Sequence, residues 1–331
     1  MFTDKSILVT GGTGSFGTMF AREVLKNYSV KKLVIFSRDE MKQWEMQNEF
    51  AHRDNIRFLI GDVRDKERLT RAMRGIDIVI HAAAMKIVPA IERDPFECIK
   101  TNVIGAMNVI NAAIDCEVTD VVALSTDKAS SPINLYGGSK LCSDKMFLAA
   151  NESYAKGTKT RFNIVRYGNV LGSRGSVIPF FFGLDPSVDI PITDERMTRF
   201  MITLPQAVNL VKVAAADRIG GKVFVHKIPS MRVVDIAASL FPGRPTVLVG
   251  IREGEKIHEQ MIAAEESERT IDMGDYYLIC STQEVLELAM HEGGAPVPKG
   301  FRYSSDNNER WMSSEELSAW AKSEGYRVKE W

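Results

Sequence analysis

Residues 7–17, with the sequence ILVTGGTGSFG, join an apolar run to a glycine-rich turn, and the amphipathic residues 18–27 follow directly. This order predicts a strand, a tight turn and a helix. Gly12, Gly14 and Gly17 match the G-x-G-x-x-G dinucleotide fingerprint, and Gly11, Gly14 and Gly17 match its G-x-x-G-x-x-G variant. A structural turn rich in glycine is the alternative. We expect the turn to bind the cofactor pyrophosphate through Gly11, Thr13, Gly14, Ser15, Phe16 and Gly17.

The rest of the first half repeats this strand–helix alternation. Further strands are predicted at residues 32–36, 56–60, 77–81, 119–125 and 161–167, and helices at residues 95–115 and 134–155. Such alternation predicts an α/β fold, a doubly wound parallel sheet of the Rossmann type. After residue 168 the chain becomes richer in glycine and proline, although a helix at 204–217 and a strand at 222–226 are still predicted. We therefore divide the chain into a cofactor-binding domain, residues 1–168, and a smaller substrate-binding lobe, residues 169–331, interleaved with the main sheet.

The end of the second predicted strand bears on the choice between NAD and NADP. An NAD enzyme usually carries an acidic residue there to bind the ribose 2′-hydroxyl group. Here Ser37 and Arg38 fit a 2′-phosphate, with Lys42 as support, so NADP is favoured. Asp39 and Glu40 are read instead as acids at a helix N-terminus.

Two further strand ends are expected to line the cofactor site. Asp62, followed by Val63, would approach the adenine, or else Asp62 caps the next helix. The small residues Ala82, Ala83 and Ala84 follow the strand that ends at His81, where a cofactor can lie close to the backbone. His81 itself is expected to be a packed structural residue. Thr101, Lys86, Tyr136 and Lys140 complete the predicted cofactor contacts.

Composition excludes several classes of function. The 331 residues are 45% apolar and 26% charged, with a net charge of −1, so no basic surface for nucleic acid is predicted. Neither a membrane span nor a signal peptide is predicted. The four cysteines and five histidines show no metal-ligand spacing, so no metal is expected and reduced thiols suggest a cytoplasmic protein.

A catalytic group is predicted at Thr126-Asp127-Lys128 and at Tyr136-x-x-x-Lys140. Tyr136 and Lys140 fall four positions apart on one helix face, where the lysine charge would lower the tyrosine pKa. Tyr136 could then accept a hydroxyl proton while hydride leaves the same carbon. Asp127 and Lys128 add a second acid/base pair, which a simple alcohol dehydrogenase does not need. The alternative is a surface turn with ordinary charges.

These motifs resemble the extended short-chain dehydrogenase/reductase superfamily and, more closely, the soluble UDP-N-acetylglucosamine 4,6-dehydratases of the inverting type. Thr-Asp-Lys stands where the retaining dTDP-glucose-type dehydratases carry Thr-Asp-Glu. The resemblance covers essentially the whole chain and rests also on residues 36–40, 60–65, 81–86, 166–170, 197–200, 250–256 and 303–308. A loop around residues 182–189 is shorter than the family pattern.

The resemblance implies a tightly bound NADP that is recycled within each turnover, and UDP-N-acetylglucosamine as the substrate. Tyr136, helped by Lys140, would take the C-4 hydroxyl proton. Lys128 would remove the C-5 hydrogen and Asp127 would protonate the departing C-6 hydroxyl group. Lys128 would have to be neutral, with a pKa lowered by burial and nearby cations, and Asp127 protonated, with a raised pKa. The alternative is that Lys128 only holds cofactor or substrate by its charge.

Substrate contacts are also implied by the resemblance. Asn169 and Arg252 would face the diphosphate, Glu255 the uridine ribose and Lys86 the sugar. The remaining substrate-binding candidates are Thr126, Arg174, Val177 and Arg199. Any of these charged residues could instead be a surface charge or a member of an ion pair.

The enzyme type that the chain resembles opens pseudaminic acid biosynthesis, used in flagellin glycosylation, and often forms homo-oligomers, hexamers in particular. Two other functions remain open: a UDP-hexose 4-epimerase or related dehydratase/5-epimerase, and a non-catalytic NADP-sensing protein. Trp311, Trp320 and Trp331 are expected to make packing or assembly contacts.

Overall fold

A computed structural model describes residues 1–326 of the protein. Its strands are β1 Ser6–Thr10, β2 Lys32–Ser37, β3 Ile56–Ile60, β4 Ile78–His81, β5 Asp120–Thr126, β6 Arg161–Tyr167, β7 Asn169–Val170, β8 Ile190–Ile192, β9 Thr198–Ile202, β10 Lys222–His226, β11 Ser230–Arg232, β12 Thr246–Leu248, β13 Gln260–Ile262, β14 Thr270–Asp272, β15 Tyr276–Cys280, β16 Ala295–Pro296 and β17 Tyr303–Ser304.

The α-helices are α1 Ser15–Asn27, α2 Glu40–Glu49, α3 Lys66–Met73, α4 Val88–Arg93, α5 Pro95–Cys98, α6 Gly105–Asp115, α7 Leu135–Ala149, α8 Val177–Phe182, α9 Leu204–Ala216, α10 Val233–Leu240, α11 Gln283–His291 and α12 Ser314–Ser323. All the strands and helices predicted from the sequence are present, several with shifted ends.

Ten strands form the central sheet, in the order β16-β14-β15-β10-β6-β5-β4-β1-β2-β3. The strands from β3 to β10 in this order are parallel, whereas β15, β14 and β16 extend the sheet antiparallel. The strand order reverses at β1, which lies between β2 and β4. In doubly wound sheets a ligand cleft lies at the carboxyl ends of the strands beside such a reversal. The predicted fold class is confirmed.

Burial explains why the parallel strands read as continuous apolar runs. Every residue of β1 and of β4 is buried, because helices cover both faces of the sheet. The main core extends from this sheet into the strands β10, β14 and β15 of the second half of the chain. A separate apolar cluster in the C-terminal lobe packs residues of α8, β8, α10 and α12 together.

The predicted helix at residues 95–115 contains a π-helical segment, residues 99–104, between α5 and α6. Its wider turn buries Thr101 and Asn102. The Asn102 side chain accepts a hydrogen bond from Met85 N (2.8 Å) and donates one to Met85 O (2.9 Å). The segment therefore braces the loop that follows β4. A second π-helical segment, residues 150–154, ends the helix predicted at 134–155.

In the C-terminal lobe, Trp320 packs against the separate apolar cluster and Trp311 is exposed. Trp331 lies outside the described residues. Within residues 1–326, no helix is both long and apolar enough to cross a membrane. The same residues contain no group of three or more side chains placed to hold a metal ion.

Candidate active site

One cleft of about 850 Å³ lies above the carboxyl ends of β1, β4 and β5. Every catalytic, cofactor-binding and substrate-binding residue predicted from the sequence lines this cleft. The fold thus brings together residues that are up to about 240 positions apart, from Gly11 to Glu255. The structure places all of these residues in one cleft, and the role of each one is still a prediction.

The glycine-rich turn fits a pyrophosphate. Gly11 has φ +64°, and a Cβ there would lie 2.8 Å from the backbone of Ala83. A Cβ at Gly17 would lie 2.4 Å from the Gly12 carbonyl oxygen. Gly14 is the N-cap of α1 and offers no capping side chain, so the N–H groups of the first turn are directed at the cleft for an anion.

Ser37 lines the end of the cleft where the adenosine half of the cofactor is predicted to bind, and the two cations near it, Arg38 and Lys42, both lie beside carboxylates. The Ser37 hydroxyl oxygen accepts a hydrogen bond from Gln43 Nε2 (3.0 Å). More than half of the Arg38 side chain is exposed, and its guanidinium lies 3.6 Å from an Asp62 carboxylate oxygen. Lys42 pairs with Asp39 at 2.6 Å, and Asp39 also caps α2, which confirms the helix-terminal interpretation of Asp39.

Asp62 does not cap the following helix, because Asp65 is the N-cap of α3. Instead, the Asp62 carboxylate accepts hydrogen bonds from the backbone N (2.9 Å) and the guanidinium of Arg64. Burial alone would raise the pKa of Asp62, but the bonds from Arg64 outweigh it and lower that pKa. Asp62 is therefore an ionised acceptor in the wall where adenine was predicted to bind.

Two cations converge on the opposite side of the cleft. Burial lowers the pKa of Lys86, and the nearby positive charge of Arg174 lowers it further. Arg174 N also approaches Ser15 Oγ, at 3.4 Å, so it lies beside the glycine-rich turn. Two positive side chains at this position make an environment suited to an anion.

Asp127 is the buried acid of the cleft. It follows β5 directly, and its Oδ1 accepts hydrogen bonds from Thr126 Oγ1 (2.9 Å) and Lys128 Nζ (3.2 Å). Its Oδ2 is buried and has no partner among the described residues. Burial raises the pKa of Asp127, the Lys128 charge opposes this, and the Glu259 carboxylate adds to the rise. The predicted raised pKa is confirmed.

The prediction for the charge of Lys128 is wrong. Its Nζ lies 3.2 Å from Asp127 Oδ1 and 2.8 Å from Glu259 Oε1. Burial acts to lower the pKa of Lys128, but these two carboxylates outweigh burial and raise it. Lys140 was expected to lower the pKa of Lys128, but the neighbouring charges that determine this pKa are those of Asp127, Glu259 and Arg199. Lys128 in this structure is an ammonium held between two acids.

Tyr136 and Lys140 lie on the first turns of α7, which Asn134 caps through its Oδ1 (2.8 Å to Gly137 N). Burial raises the pKa of Tyr136 to about 12, although the charge of Lys128 and a hydrogen bond with Thr126 act to lower it. The predicted lowering of this pKa by Lys140 is therefore wrong for the protein alone. Burial also lowers the pKa of Lys140, opposed by the carboxylate of Asp144.

The residues predicted to bind the substrate differ in whether their polar atoms already have partners within the protein. Asn169 Oδ1 is buried and has no partner within residues 1–326. Arg252 pairs loosely with Glu255 at 3.7 Å, and both side chains remain partly exposed. In contrast, the Arg199 guanidinium donates to the carbonyl oxygens of Thr198, Lys256 and Ile257. Arg199 Nε also lies 3.9 Å from Glu259 Oε1, which favours the ion-pair alternative for Arg199.

Sequence reasoning missed Glu259, which lines the cleft with its carboxylate almost fully buried. The segment just before β13 carries no motif that would mark this glutamate as buried, since most glutamates are exposed. Lys256 was also missed as a site residue; its Nζ donates to Ser130 O at 2.7 Å.

His81 is structural, as predicted. Its Nδ1 lies 2.8 Å from Thr10 Oγ1, and its ring packs against Phe147. Burial, assisted by the charge of Lys140, lowers the pKa of His81 to about 3.

A Rossmann-type sheet, a glycine-rich turn at its first strand and a Tyr-x-x-x-Lys pair in the cleft together define the extended short-chain dehydrogenase/reductase class. Comparison with known proteins narrows this class. The family described as "Polysaccharide biosynthesis protein" matches residues 7–281.

An inverting UDP-N-acetylglucosamine 4,6-dehydratase of Campylobacter jejuni is 50% identical over 326 residues, 96% of this chain and 97% of that protein. A UDP-glucose 4-epimerase of Rickettsia typhi is 40% identical over 320 residues, 94% of this chain and 93% of that protein. The crystal structure of Pen from Bacillus thuringiensis superimposes with a TM-score of 0.89 at 37% identity, covering 98% of this chain and 99% of that one. The chain belongs to the polysaccharide biosynthesis protein family, in the group of the inverting UDP-N-acetylglucosamine 4,6-dehydratases that its motifs resemble.

Proposed function

We propose that the protein is an NADP-dependent UDP-N-acetylglucosamine 4,6-dehydratase that inverts C-5. Its product would be UDP-2-acetamido-2,6-dideoxy-β-L-arabino-hex-4-ulose, the first intermediate of pseudaminic acid biosynthesis. The observation that carries the proposal is the pairing of the buried Asp127 with the partly buried Lys128 in the same cleft as Tyr136. Oxidation at C-4 alone needs a base such as Tyr136, whereas loss of water across C-5 and C-6 also needs a second acid and base.

The residues of the cleft fit NADP. The N-terminus of α1 and the glycine-rich turn would hold the pyrophosphate, and Ser37 and Arg38 the 2′-phosphate. When bound, NADP supplies the acceptor and later the donor of hydride. A cofactor held by this many contacts can stay bound while it is oxidised and reduced within one turnover.

Tyr136 is the proposed base for the C-4 hydroxyl proton. With a pKa of about 12 in the protein alone, it needs positive charge beside it to act near neutral pH. Lys128 already acts in that direction, and Lys140 lies one helical turn away on α7. The C-4 ketone that results acidifies the C-5 hydrogen, which prepares the elimination.

Asp127 is the proposed acid for the C-6 hydroxyl group, because burial favours its protonated form. Lys128 is the proposed base at C-5. As an ammonium between Asp127 and Glu259, it must first pass its proton to one of these carboxylates. If it keeps the proton, its role is to stabilise negative charge on the sugar, which is the alternative to base catalysis.

The substrate would lie along the other wall of the cleft. We propose that Asn169 and Arg252 contact the diphosphate, Glu255 the uridine ribose and Lys86 the sugar. The buried, unpartnered Oδ1 of Asn169 and the two converging cations, Lys86 and Arg174, support this assignment.

Substitution of Lys128 separates this function from its alternatives. We expect Lys128→Ala to abolish formation of the 6-deoxy-4-keto sugar from UDP-N-acetylglucosamine, followed by proton NMR in deuterated water. Lys145→Ala is the matched control, since Lys145 is exposed on α7 outside the cleft and its loss should leave turnover intact.

The wild-type product identifies the reaction. A 6-deoxy-4-keto product with deuterium at C-5 would support the dehydratase. A C-4 epimer whose formation survives Lys128→Ala would show a 4-epimerase, as the Rickettsia relatives are named. Unchanged substrate with NADP bound would show a cofactor-sensing protein.

A further inference from the structure

A second carboxylate reaches the acid/base pair from the other half of the chain. Glu259 precedes β13 and extends to Lys128, which follows β5, so that Oε1 and Nζ are 2.8 Å apart. This distance is shorter than the 3.2 Å between Lys128 Nζ and Asp127 Oδ1. Glu259 therefore makes the closer contact with the ammonium, although Asp127 is its neighbour in sequence.

The position of Glu259 is held by its own backbone. Glu259 N donates to Ser305 Oγ (2.9 Å), and Ser305 N donates to Glu259 O (2.8 Å). The Ser305 hydroxyl group, fully buried, also contacts Thr198 Oγ1 at 2.7 Å. These bonds connect the segments around Thr198, Glu259 and Ser305. The position of the Glu259 carboxylate in the cleft is therefore fixed by several hydrogen bonds.

The loop that ends at Glu259, residues 249–259, is also hydrogen-bonded at two points to residues 130–134, which follow Asp127 and Lys128 in the chain. Lys256 Nζ donates to Ser130 O (2.7 Å), and Asn134 Nδ2 donates to Gly254 O (2.8 Å). The loop that carries Glu259 also carries Arg252 and Glu255, the proposed substrate contacts. Placement of Lys128 and binding of the nucleotide thus depend on one segment.

We propose that Glu259 is a positioning residue for this reaction: its carboxylate fixes the Lys128 ammonium beside Asp127 and controls when Lys128 gives up its proton. The inference rests on the proposed function. Glu259 Oε2 is buried and has no hydrogen-bond partner among the described residues. Burial acts to raise the pKa of Glu259, but the charges of Lys128 and Arg199 outweigh burial and lower that pKa, so the carboxylate that faces Lys128 is ionised.

The charges that face Lys128 determine in which direction its pKa should change when Glu259 is substituted. Asp127 and Glu259 raise its pKa, whereas burial and the positive charge of Arg199 lower it. Lys256 and Tyr136 are the other titratable groups that interact with Lys128. Removing the Glu259 charge leaves one carboxylate against burial and two further cations, so the pKa of Lys128 must fall.

The test is Glu259→Gln, which keeps the shape of the side chain and removes its charge. We expect kcat to fall at least tenfold while KM changes less than about threefold, and the limb on which kcat rises with pH to move to lower pH by about 1 to 3 units. Glu259→Asp should restore the limb at least partly. Glu265→Gln is the control, because Glu265 is exposed and does not line the cleft.

An NMR titration of the ε-carbon of Lys128 in the ligand-free protein gives a readout that does not need turnover. A lower titration midpoint in Glu259→Gln supports the inference, and a midpoint and pH limb equal to those of the wild type overturn it even if kcat falls. Should Glu259→Gln fail to fold by circular dichroism, Glu259→Ala, which also removes the charge, decides: a lower titration midpoint of Lys128 supports the role, and an unmoved midpoint overturns it. Absence of product from the wild type would instead overturn the proposed function.

Discussion

Lys128 shows how strongly one ammonium can depend on its neighbours. Removing an ion from water costs several kcal/mol unless opposite charges compensate it. Asp127 and Glu259, both almost fully buried, supply that compensation at 3.2 Å and 2.8 Å. Since Asp127 and Glu259 both bind the same nitrogen, a change in the protonation of either one alters the other two groups.

Arg38 should distinguish the two nicotinamide dinucleotides. Arg38→Ala removes the exposed guanidinium beside Ser37, and we expect the Kd for NADP to rise at least about tenfold while the Kd for NAD changes little. Tryptophan or nicotinamide fluorescence measures both. Arg53→Ala, an exposed arginine outside the cleft, should change neither constant. An equal loss of NAD and NADP affinity would argue against a 2′-phosphate contact.

His81 should make the protein sensitive to acid. Its pKa falls from the ordinary 6.5 to about 3 on folding, so below pH 6.5 the unfolded chain binds a proton that the folded protein does not. The free energy of unfolding should therefore decrease as pH falls, by at most about 1.4 kcal/mol per pH unit from this group.

His81→Gln tests this, because glutamine can retain a hydrogen bond to Thr10. Thermal and urea unfolding between about pH 7 and about pH 5 should show a smaller loss of stability in the variant than in the wild type, by up to about 2 kcal/mol. His52→Gln, at an exposed position, should follow the wild type. Identical pH dependence in all three proteins would refute the role of His81.

At the scale of single residues, identity and approximate place could be predicted, but charge could not. Asp127, Lys128, Tyr136 and Lys140 stand within a short stretch whose spacing predicts a helix face and a strand end. The pKa of Lys128 depends on Glu259, which is more than 130 positions away and has no motif of its own. Long-range contacts of this kind decide electrostatics and leave no local pattern.

At the scale of elements, α7 packs closely against residues 128–132 because residue 137, on its first turn, is a glycine. A Cβ at Gly137 would lie 2.2 Å from Lys128 O and 3.0 Å from Pro132 Cβ. Its neighbour Gly138 has open space, with nothing within 4 Å of the same added atom. Two adjacent glycines on one helix thus have opposite environments.

Gly137→Ala and Gly138→Ala form a matched pair. The first should push α7 away from Lys128, with a loss of about 1–3 kcal/mol in the free energy of unfolding and a tenfold or greater loss of dehydratase activity. The second should keep activity and gain up to about 1 kcal/mol, because alanine favours a helix. Chemical unfolding and the product assay measure both. Equal effects in the two variants would contradict this account of the packing.

The parallel strands were predictable because burial on both faces makes the central residues of β1, β2, β4 and β5 apolar. The antiparallel extension by β14, β15 and β16 was not, since β14 and β16 are very short and β15 joins the sheet through β10, which lies far from it along the chain. The π-helical segment at residues 99–104 was also missed, because a wider turn leaves the apolar pattern of a helix almost unchanged.

At the scale of the whole molecule, an apolar surface runs along the helical stretch at residues 95–115. Phe96 is 79% exposed, and Ile99, Ile104 and Met107 are also exposed. Apolar surfaces of this kind are frequent in contacts between subunits. We expect a homo-oligomer, a hexamer by the family resemblance, with this surface in one of its interfaces.

Phe96→Ser should shift the protein to smaller species in sedimentation velocity at micromolar concentration. Leu288→Ser, on α11, changes another exposed apolar residue, away from this surface, and should leave the distribution as in the wild type. A monomeric wild type, or a Phe96→Ser variant with unchanged mass, would refute this interface.

The central sheet continues without interruption from β3 to β16, so strands of both halves of the chain share hydrogen bonds within it. Two parts of a chain that share one continuous sheet cannot rotate relative to each other about a hinge. We expect admission of a nucleotide sugar to depend on shifts of surface segments, such as residues 171–189 and 249–253, over a stationary sheet. A crystal soaked with substrate should accordingly show rearranged rims and an unchanged platform beneath them.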